Sequence, residues 1–258
     1  PGYQTLCTHY LSSILDIEKS DKLLNSLKKS GEFLSHFIHP DGSIGGLYGS
    51  RNTEVYYPGG IVKLATHQDL FKSMNNELKK GINNNVHILP HSIDSNNLIP
   101  LMNSYAEAAL FEDRVKKTGN YKSIFFQHKG EKTFKKCGIY IHSNEKYYAI
   151  FNYFKGGTIK VFDKINNCLD IEDGGLYGCS GSYQITTQIN NPKFSKNKFD
   201  LIFEFYKTKE SFQSPIKNIL LRILSLTIFK SIFLGNVFKK AIVKKLMTGK
   251  NKVKGKVK

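Results

Sequence analysis

Residues 121–162 read YKSIFFQHKGEKTFKKCGIYIHSNEKYYAIFNYFKGGTIKVF. Four short runs within this stretch, 124–126, 138–142, 147–153 and 158–162, are rich in β-branched and aromatic side chains. Lys-Gly, Ser-Asn and Gly-Gly pairs separate them. Such residues suit a half-buried pleated surface, and short runs punctuated in this way predict antiparallel strands. Two more runs follow at 182–189 and 200–206. The set predicts an antiparallel β-sandwich over residues 113–216.

Upstream the period changes. Between residues 6 and 37 apolar positions recur at three and four: Leu11, Ile14 and Leu15, then Leu23, Leu24 and Leu27, then Phe33, Leu34 and Phe37. That spacing predicts helices with one apolar face, the second capped by Asp21 with Ser20 before it. Pro40, Gly42, Gly45, Gly46, Gly49, Pro58, Gly59 and Gly60 interrupt the pattern and predict a tight loop. Helical character returns over 61–80 and again over 100–111, on either side of an Asn-rich polar stretch at 83–97. Helices first and strands second is α+β order, not βαβ alternation. The expected domains are a helical portion at 1–112, the strands at 113–216, and a tail at 217–258.

The 40% apolar content supports a packed core and excludes wholesale disorder. Fourteen Tyr and eighteen Phe fit either a β-rich core or a sugar-contacting surface. The net charge is +17, and residues 217–258 carry twelve of those charges, with no Asp or Glu. The body is only mildly basic, so a specific nucleic-acid binder is not expected from the overall charge. Residues 217–247 combine apolar residues with Arg222, Lys230, Lys239, Lys240, Lys244 and Lys245. A basic helix with Ile219, Ile223, Leu226, Phe233 and Val237 on one stripe suits peripheral contact with an anionic membrane. It equally suits a C-terminal helix packed on the body, or electrostatic attraction of an acidic glycan. The tail after residue 248 reads as disordered. Cys7, Cys137, Cys168 and Cys179 form no C-x-x-C pair, so they are expected to be small core residues rather than zinc ligands or disulfides. The histidines show no metal-ligand spacing, and no metal ligand is assigned. The first residue is Pro1, which reads as a removed leader or an internal fragment.

The densest set of chemistry-bearing residues is HPDGSIGGLYGSRNTEVYYPGG, residues 39–60. A His, an Arg, an Asn and three Tyr share one Gly-rich loop. Glycine lets backbone approach a ligand, and such loops often carry function. The stretch also fits a structural Ω-loop plugged by its own tyrosines, and composition does not choose. The G-G-x-x-G at 45–49 has no preceding strand and no following G-K-[ST], which argues against a phosphate cradle.

PGYQTLCTHYL at residues 1–11, the 39–60 block and the strand–turn–strand–D-G-G pattern over 147–178 resemble the heparinase II/III-like polysaccharide lyases and their relatives in surface-polysaccharide gene clusters. The resemblance covers most of residues 1–210. It implies the C-terminal helices of an incomplete (α/α) toroid followed by the sandwich, as a C-terminal fragment. It implies no cofactor, although some relatives hold a structural zinc through ligands that cannot be placed here. It further implies an acidic, uronate-containing polysaccharide or oligosaccharide as partner, and a bacterial envelope setting that is periplasmic or peripheral to the inner membrane. The implied reaction is β-elimination. The uronate carboxylate is neutralised, a base removes the C5 proton, and an acid protonates the departing O4. Tyrosine does this work when a nearby cation lowers its ordinary pKa of about 10, and Arg makes a two-pronged carboxylate clamp. On the resemblance, Tyr57, Tyr48, Arg51 and Asn52 are the catalytic candidates, with Tyr57 and Tyr48 competing for the proton-transfer role. Tyr56, His39, Gln4 and Tyr3 are the substrate-binding candidates. Where such lyases carry a sandwich His, residues 152–157 read NYFKGG, without one. His128 and His142 are expected at the surface or at strand edges, and Asp173 in a turn. The alternative to a lyase is a catalytically inactive glycan-binding or surface-polysaccharide assembly protein on the same fold.

Overall fold

The computed structural model describes residues 2–49, 54–115, 121–181, 183–188, 194–196, 201–203, 205–207, 219, 222–223, 226 and 252–253. The architecture is α+β. Its helices are α1 (Gly2–Ile17), α2 (Asp21–Ser35), α3 (Gly59–Ala65), α4 (Asp69–Asn83) and α5 (Ser95–Glu112). The N-cap of α2 is Ser20 rather than Asp21: its hydroxyl accepts from Leu23 N–H, and Asp21 occupies the first turn, where its charge suits the helix dipole. The helix expected over 61–80 is two helices, broken at residues 66–68. The last helix starts five residues before the expected Pro100 because Asp94 caps it, accepting from Asn96 N–H and Asn97 N–H. Pro100 is thus inside α5 rather than at its start.

α1 reverses the expected orientation. It buries Thr5, Thr8, His9 and Ser12, while Leu11 and Ile14 are exposed together with Tyr3, Tyr10 and Ile17. The reason lies in what α1 meets. A Cβ at Gly60 would fall 2.5 Å from His9 N, so two helix backbones approach there more closely than large side chains allow. The buried face is accordingly small and polar. Glu107 of α5 lies 2.6 Å from His9 Nδ1 and 2.9 Å from Lys63 Nζ, and it accepts from Ser13 Oγ. The hydrogen bonds that Ser13 Oγ and Lys63 Nζ donate to Glu107 Oε1 offset part of the desolvation at this contact.

The strands β1 (Gly130–Phe134), β2 (Ile139–Ser143), β3 (Tyr147–Asn152), β4 (Thr158–Asp163) and β5 (Cys168–Asp173) form an antiparallel meander in sequence order. Residues 124–126, expected as a strand, instead enter a single 3₁₀ turn at Phe125–Gln127. Alternation sends Ile139, Ile141, Tyr148, Ile150 and Phe162 to one face, where they meet Leu34, Phe37, Ile38 and Tyr48 from the helical half. Full burial of each large side chain stabilises by roughly 1.5–3 kcal/mol. Phe33 and Phe134 meet edge-on at 4.9 Å, joining α2 to β1.

Helices and meander therefore share one core. Residues 1–153 with 158–174 form one compact unit, so the chain does not divide at residue 112. The second unit comprises residues 154–157 and 175–258. It contains β6 (Tyr177–Ser180), β7 (Tyr183–Thr186), β8 (Phe194–Lys196), β9 (Leu201–Phe203), β10 (Phe205–Lys207) and β11 (Lys252–Val253). Four of these form a sheet in the order β11-β10-β7-β6, and β8 pairs with β9. Within this unit Thr187 Oγ1 donates to the Gly156 carbonyl at 2.6 Å.

All four cysteines are exposed, against the expectation of core positions. Cys168 begins β5, an edge strand whose residues are all exposed, and Cys137 lies in the turn between β1 and β2. Small apolar character does not bury a residue that the chain places at an edge or a turn. Of the tail, Ile219, Arg222, Ile223 and Leu226 are helical, and their three apolar side chains are exposed. Phe233, Val237 and the lysines between 230 and 245 lie outside the described residues. No helix among the described residues is long and apolar enough to cross a membrane.

Candidate functional site

The Gly-rich stretch leaves α2 and turns back on itself at Gly42, Gly45 and Gly46, all of positive φ. Its side chains go three ways. The first is into the core. His39 is fully buried, stacked on Phe162 at 4.4 Å, and bonded at both ring nitrogens. Ser43 Oγ donates to Asp41 Oδ1 at 2.6 Å, so it must accept from His39 Nδ1–H at 2.7 Å. His39 Nε2 then carries no proton and accepts from the Tyr48 hydroxyl at 2.9 Å. The chain Tyr48–His39–Ser43–Asp41 thus has a single direction and a single imidazole tautomer. Tyr48 is only 1% exposed, and burial pushes its hydroxyl well above the ordinary value.

The second direction is a packed layer beside α4. Tyr56 is fully buried, its ring centroid 5.2 Å from that of His87. Its hydroxyl has no hydrogen-bond partner among the described residues.

The third direction is toward a cleft, which Tyr57 lines although only 6% exposed. Tyr57 walls this open cleft of about 310 Å³ with Tyr3, Val55, Ile88, Ser92, Asp94 and Asn97. Its backbone N–H donates to Thr5 Oγ1 at 3.2 Å, and Gly59 N–H donates to Ser104 Oγ at 2.9 Å. α1 and α5 therefore hold both ends of the Tyr57–Pro58–Gly59 corner. Val55 pairs with Ile88 in a parallel bridge, which brings the Asn-rich stretch to the cleft. Burial pushes the Tyr57 hydroxyl above its ordinary value, helped by Tyr10, Tyr3 and Asp94. Arg51, the cation expected beside the catalytic tyrosine, lies outside the described residues. Desolvation dominates at Tyr48 and Tyr57, and the charged group bearing on Tyr57 among the described residues is the acidic Asp94.

The eight sequence candidates therefore separate. Tyr57 and Tyr3 share the cleft; Tyr48 and His39 are joined in the core; Tyr56 stands apart. Gln4 ties α1 to α2 by donating to Ser30 O and Ser30 Oγ, both at 2.9 Å. Arg51 and Asn52 lie outside the described residues. Asp94, Asn97 and Ser92 were missed because the Asn-rich stretch reads as a bland polar linker. An Asp directly before a helix is the one signal that marked it. His142, on the inner strand β2, is half-buried and faces Glu131 of β1 at 3.4 Å, and His128 is exposed as expected. Among the described residues no group of three His, Cys, Asp or Glu side chains could hold a metal, so the residues present do not fit a structural zinc. Comparisons with family models, with curated proteins and with solved structures find no match for this chain.

The buried imidazole has a consequence in acid. Burial, then Lys160 and His87, hold the His39 pKa well below the usual histidine value. His87 and His36 are displaced in the same direction, mainly by burial. The folded state then binds fewer protons than the unfolded state once pH falls below about 6.5, and stability declines with pH from there. At pH 5 the protein is expected to be less stable than at pH 7.5 on account of His39. Urea midpoints at the two pH values check this. A His39→Gln variant, which cannot be charged, should lose less on acidification than the parent.

Proposed function

We propose that this chain is a carbohydrate-active protein of the heparinase II/III-like kind, and that it eliminates across a uronate-containing polysaccharide held at the Tyr57 cleft. In this reading the five helices are the end of an incomplete toroid and the strands belong to a sandwich. The observation that carries the reading is the separation of the two tyrosines: Tyr48, 1% exposed, is bonded into the core, whereas Tyr57, itself only 6% exposed, lines an open cleft. Tyr3 offers a second ring for a sugar face, and Ser92, Asp94 and Asn97 offer partners for hydroxyls.

The step balances as follows. The base takes the C5 proton, its electron pair becomes the C4=C5 double bond, the C4–O4 bond breaks, and O4 receives a proton. The raised Tyr57 hydroxyl is protonated at rest and suits donation to O4. To take the C5 proton, Tyr57 needs a cation beside it to stabilise the phenolate. In this reading Arg51 supplies that cation, and Arg51 with Asn52 neutralises the carboxylate. The test is ultraviolet absorbance of the unsaturated product with a panel of uronate polymers. Product from at least one polymer supports elimination.

A second reading has its own observation. Asn152 stands in β3, in the stretch where the lyases carry a His, and its Nδ2 donates to the Tyr48 carbonyl at 2.7 Å. A group committed to the core does no acid–base work, and this favours a glycan-binding or assembly protein. Saccharide binding without product from any polymer selects it. In either reading the basic segment 217–247 would draw the protein to an anionic membrane surface. Sedimentation with anionic vesicles should lose this component when 217–258 is deleted.

A further inference from the structure

The inner face of β4 carries a charge where packing alone would place an aliphatic residue. Lys160 stands in register with Ile150 and, across β3, with Ile141. Its side chain is 3% exposed. A buried ammonium is tolerated when carboxylates surround it. Lys160 has two: Nζ lies 2.8 Å from Glu54 Oε1 and 3.4 Å from Glu172 Oε1. Glu172 is its directly opposed partner on β5 and also accepts from the backbone N–H of Leu47 at 3.3 Å. A Cβ at Gly46 would fall 2.9 Å from Glu172 Oε1 and 3.0 Å from Lys160 Nζ, so glycine there gives the triad its room.

The consequence is topological. Leu47 and Glu54 bracket the segment that contains Arg51 and Asn52, and one buried lysine holds both ends to the β4–β5 edge. From Glu54 the connection runs directly to the cleft. The Glu54 carbonyl accepts from Ile88 N–H, Val55 bridges Ile88, and Tyr57 follows two residues later. The hydrogen bonds of His39, Ser43 and Asp41 hold the loop as far as Tyr48 and do not reach Glu54 or Val55.

We infer that Lys160 is a positioning residue of the Tyr57 cleft, fixing Glu54 directly and Leu47 through Glu172, while Thr5 and Ser104 hold the far side of the Tyr57 corner. The inference rests on the functional reading for its consequence in binding and turnover, but not for its consequence in the loop. A purely structural lysine would be replaceable by apolar residues together with its partners, because a buried ion pair is often matched in stability by hydrophobic groups. A positioning lysine would not be, since apolar groups pack without fixing direction.

The test is the triple variant Lys160→Met, Glu54→Leu, Glu172→Met in the full chain, with Lys160→Met alone as the destabilised control. Three quantities are measured: the urea midpoint, hydrogen exchange of peptides covering 44–60, and product formation or saccharide binding. A positioning role predicts a triple variant near parental stability, with faster exchange over 47–57 and about 100-fold less turnover, or a corresponding loss of binding. Parental exchange over 47–57 in a stable triple variant overturns the inference. So does retained turnover or binding. Should the triple variant fail to fold, Glu54→Gln, which keeps an oxygen acceptor but removes the charge, serves in its place with the same readouts. A parent that neither cleaves nor binds any saccharide overturns the functional reading alone, and the exchange result still decides the role of Lys160.

Discussion

Changing Tyr57 to Phe should lower product formation by at least about 100-fold, because the ring that walls the cleft remains while the transferable proton is gone. Stability should stay within about 0.5 kcal/mol of the parent, the range for a change that breaks no buried network. Tyr48→Phe should behave in the opposite way. It removes the donor to His39 Nε2 and leaves a fully buried acceptor unpaired, at a cost of about 1–3 kcal/mol. Turnover per folded molecule should change little, since Tyr48 does not reach the cleft. Paired measurements of product absorbance and urea midpoint on both variants separate the assignments. Loss of turnover in Tyr48→Phe at parental stability would exchange the two roles. Full turnover in both variants would remove the site from this loop. Where the parent binds saccharide without cleaving it, the same contrast is read in affinity with Tyr57→Ala, which removes the stacking surface.

The contrast between these tyrosines also shows what residue order can and cannot convey. The change of period near residue 121 was legible, because alternation and three-to-four spacing are local properties of the chain. The meander appears where the runs at 138–142, 147–153 and 158–162 predict strands. Helix α1 was legible as a helix but not in its orientation. Of its apolar stripe Leu11 and Ile14 are exposed, and only Leu15 packs against the core, because Gly59 and Gly60, fifty residues away, admit only a thin polar face. Lys160 is the same lesson in a strand. Alternation places it inward, composition suggests outward, and only Glu54 and Glu172 decide the matter. At the site, residue types marked the 39–60 loop as chemically dense, yet three tyrosines within ten residues face three environments. Direction at Tyr48, Tyr56 and Tyr57 follows from Gly42, Gly45 and Gly46 turning the chain, and from Thr5 and Ser104 holding its far end. Those are long-range contacts, and nothing in the spacing of the tyrosines encodes them.

Gly42→Ala should be the most damaging single methyl in the helical half. Gly42 has φ +81°, in the left-handed region, and an added Cβ would fall 2.4 Å from Gly81 N and 2.6 Å from Glu77 O. Both are backbone atoms of α4, so no side chain can swing aside. The backbone angle costs about 1–2 kcal/mol for a residue with a Cβ, and forced overpacking adds about 1–3 kcal/mol. A loss of about 3–5 kcal/mol is a large share of the 5–15 kcal/mol typical of a folded domain. The loop turns at this point before reaching His39's partner Ser43, so the relay should fail together with the fold. Two other glycines apportion the effect. Gly81→Ala tests the clash without the angle, since its Cβ would meet Gly42 O at 2.2 Å. Gly181→Ala tests the angle without the clash, since φ is +60° and nothing lies within 4 Å. Urea midpoints should rank the parent first, then Gly181→Ala with a shift of about 1 kcal/mol, then Gly81→Ala, with Gly42→Ala last. A Gly42→Ala variant as stable as Gly181→Ala would mean that α4 can move away from the loop. The close backbone approach would then not be what seats the loop on the helices.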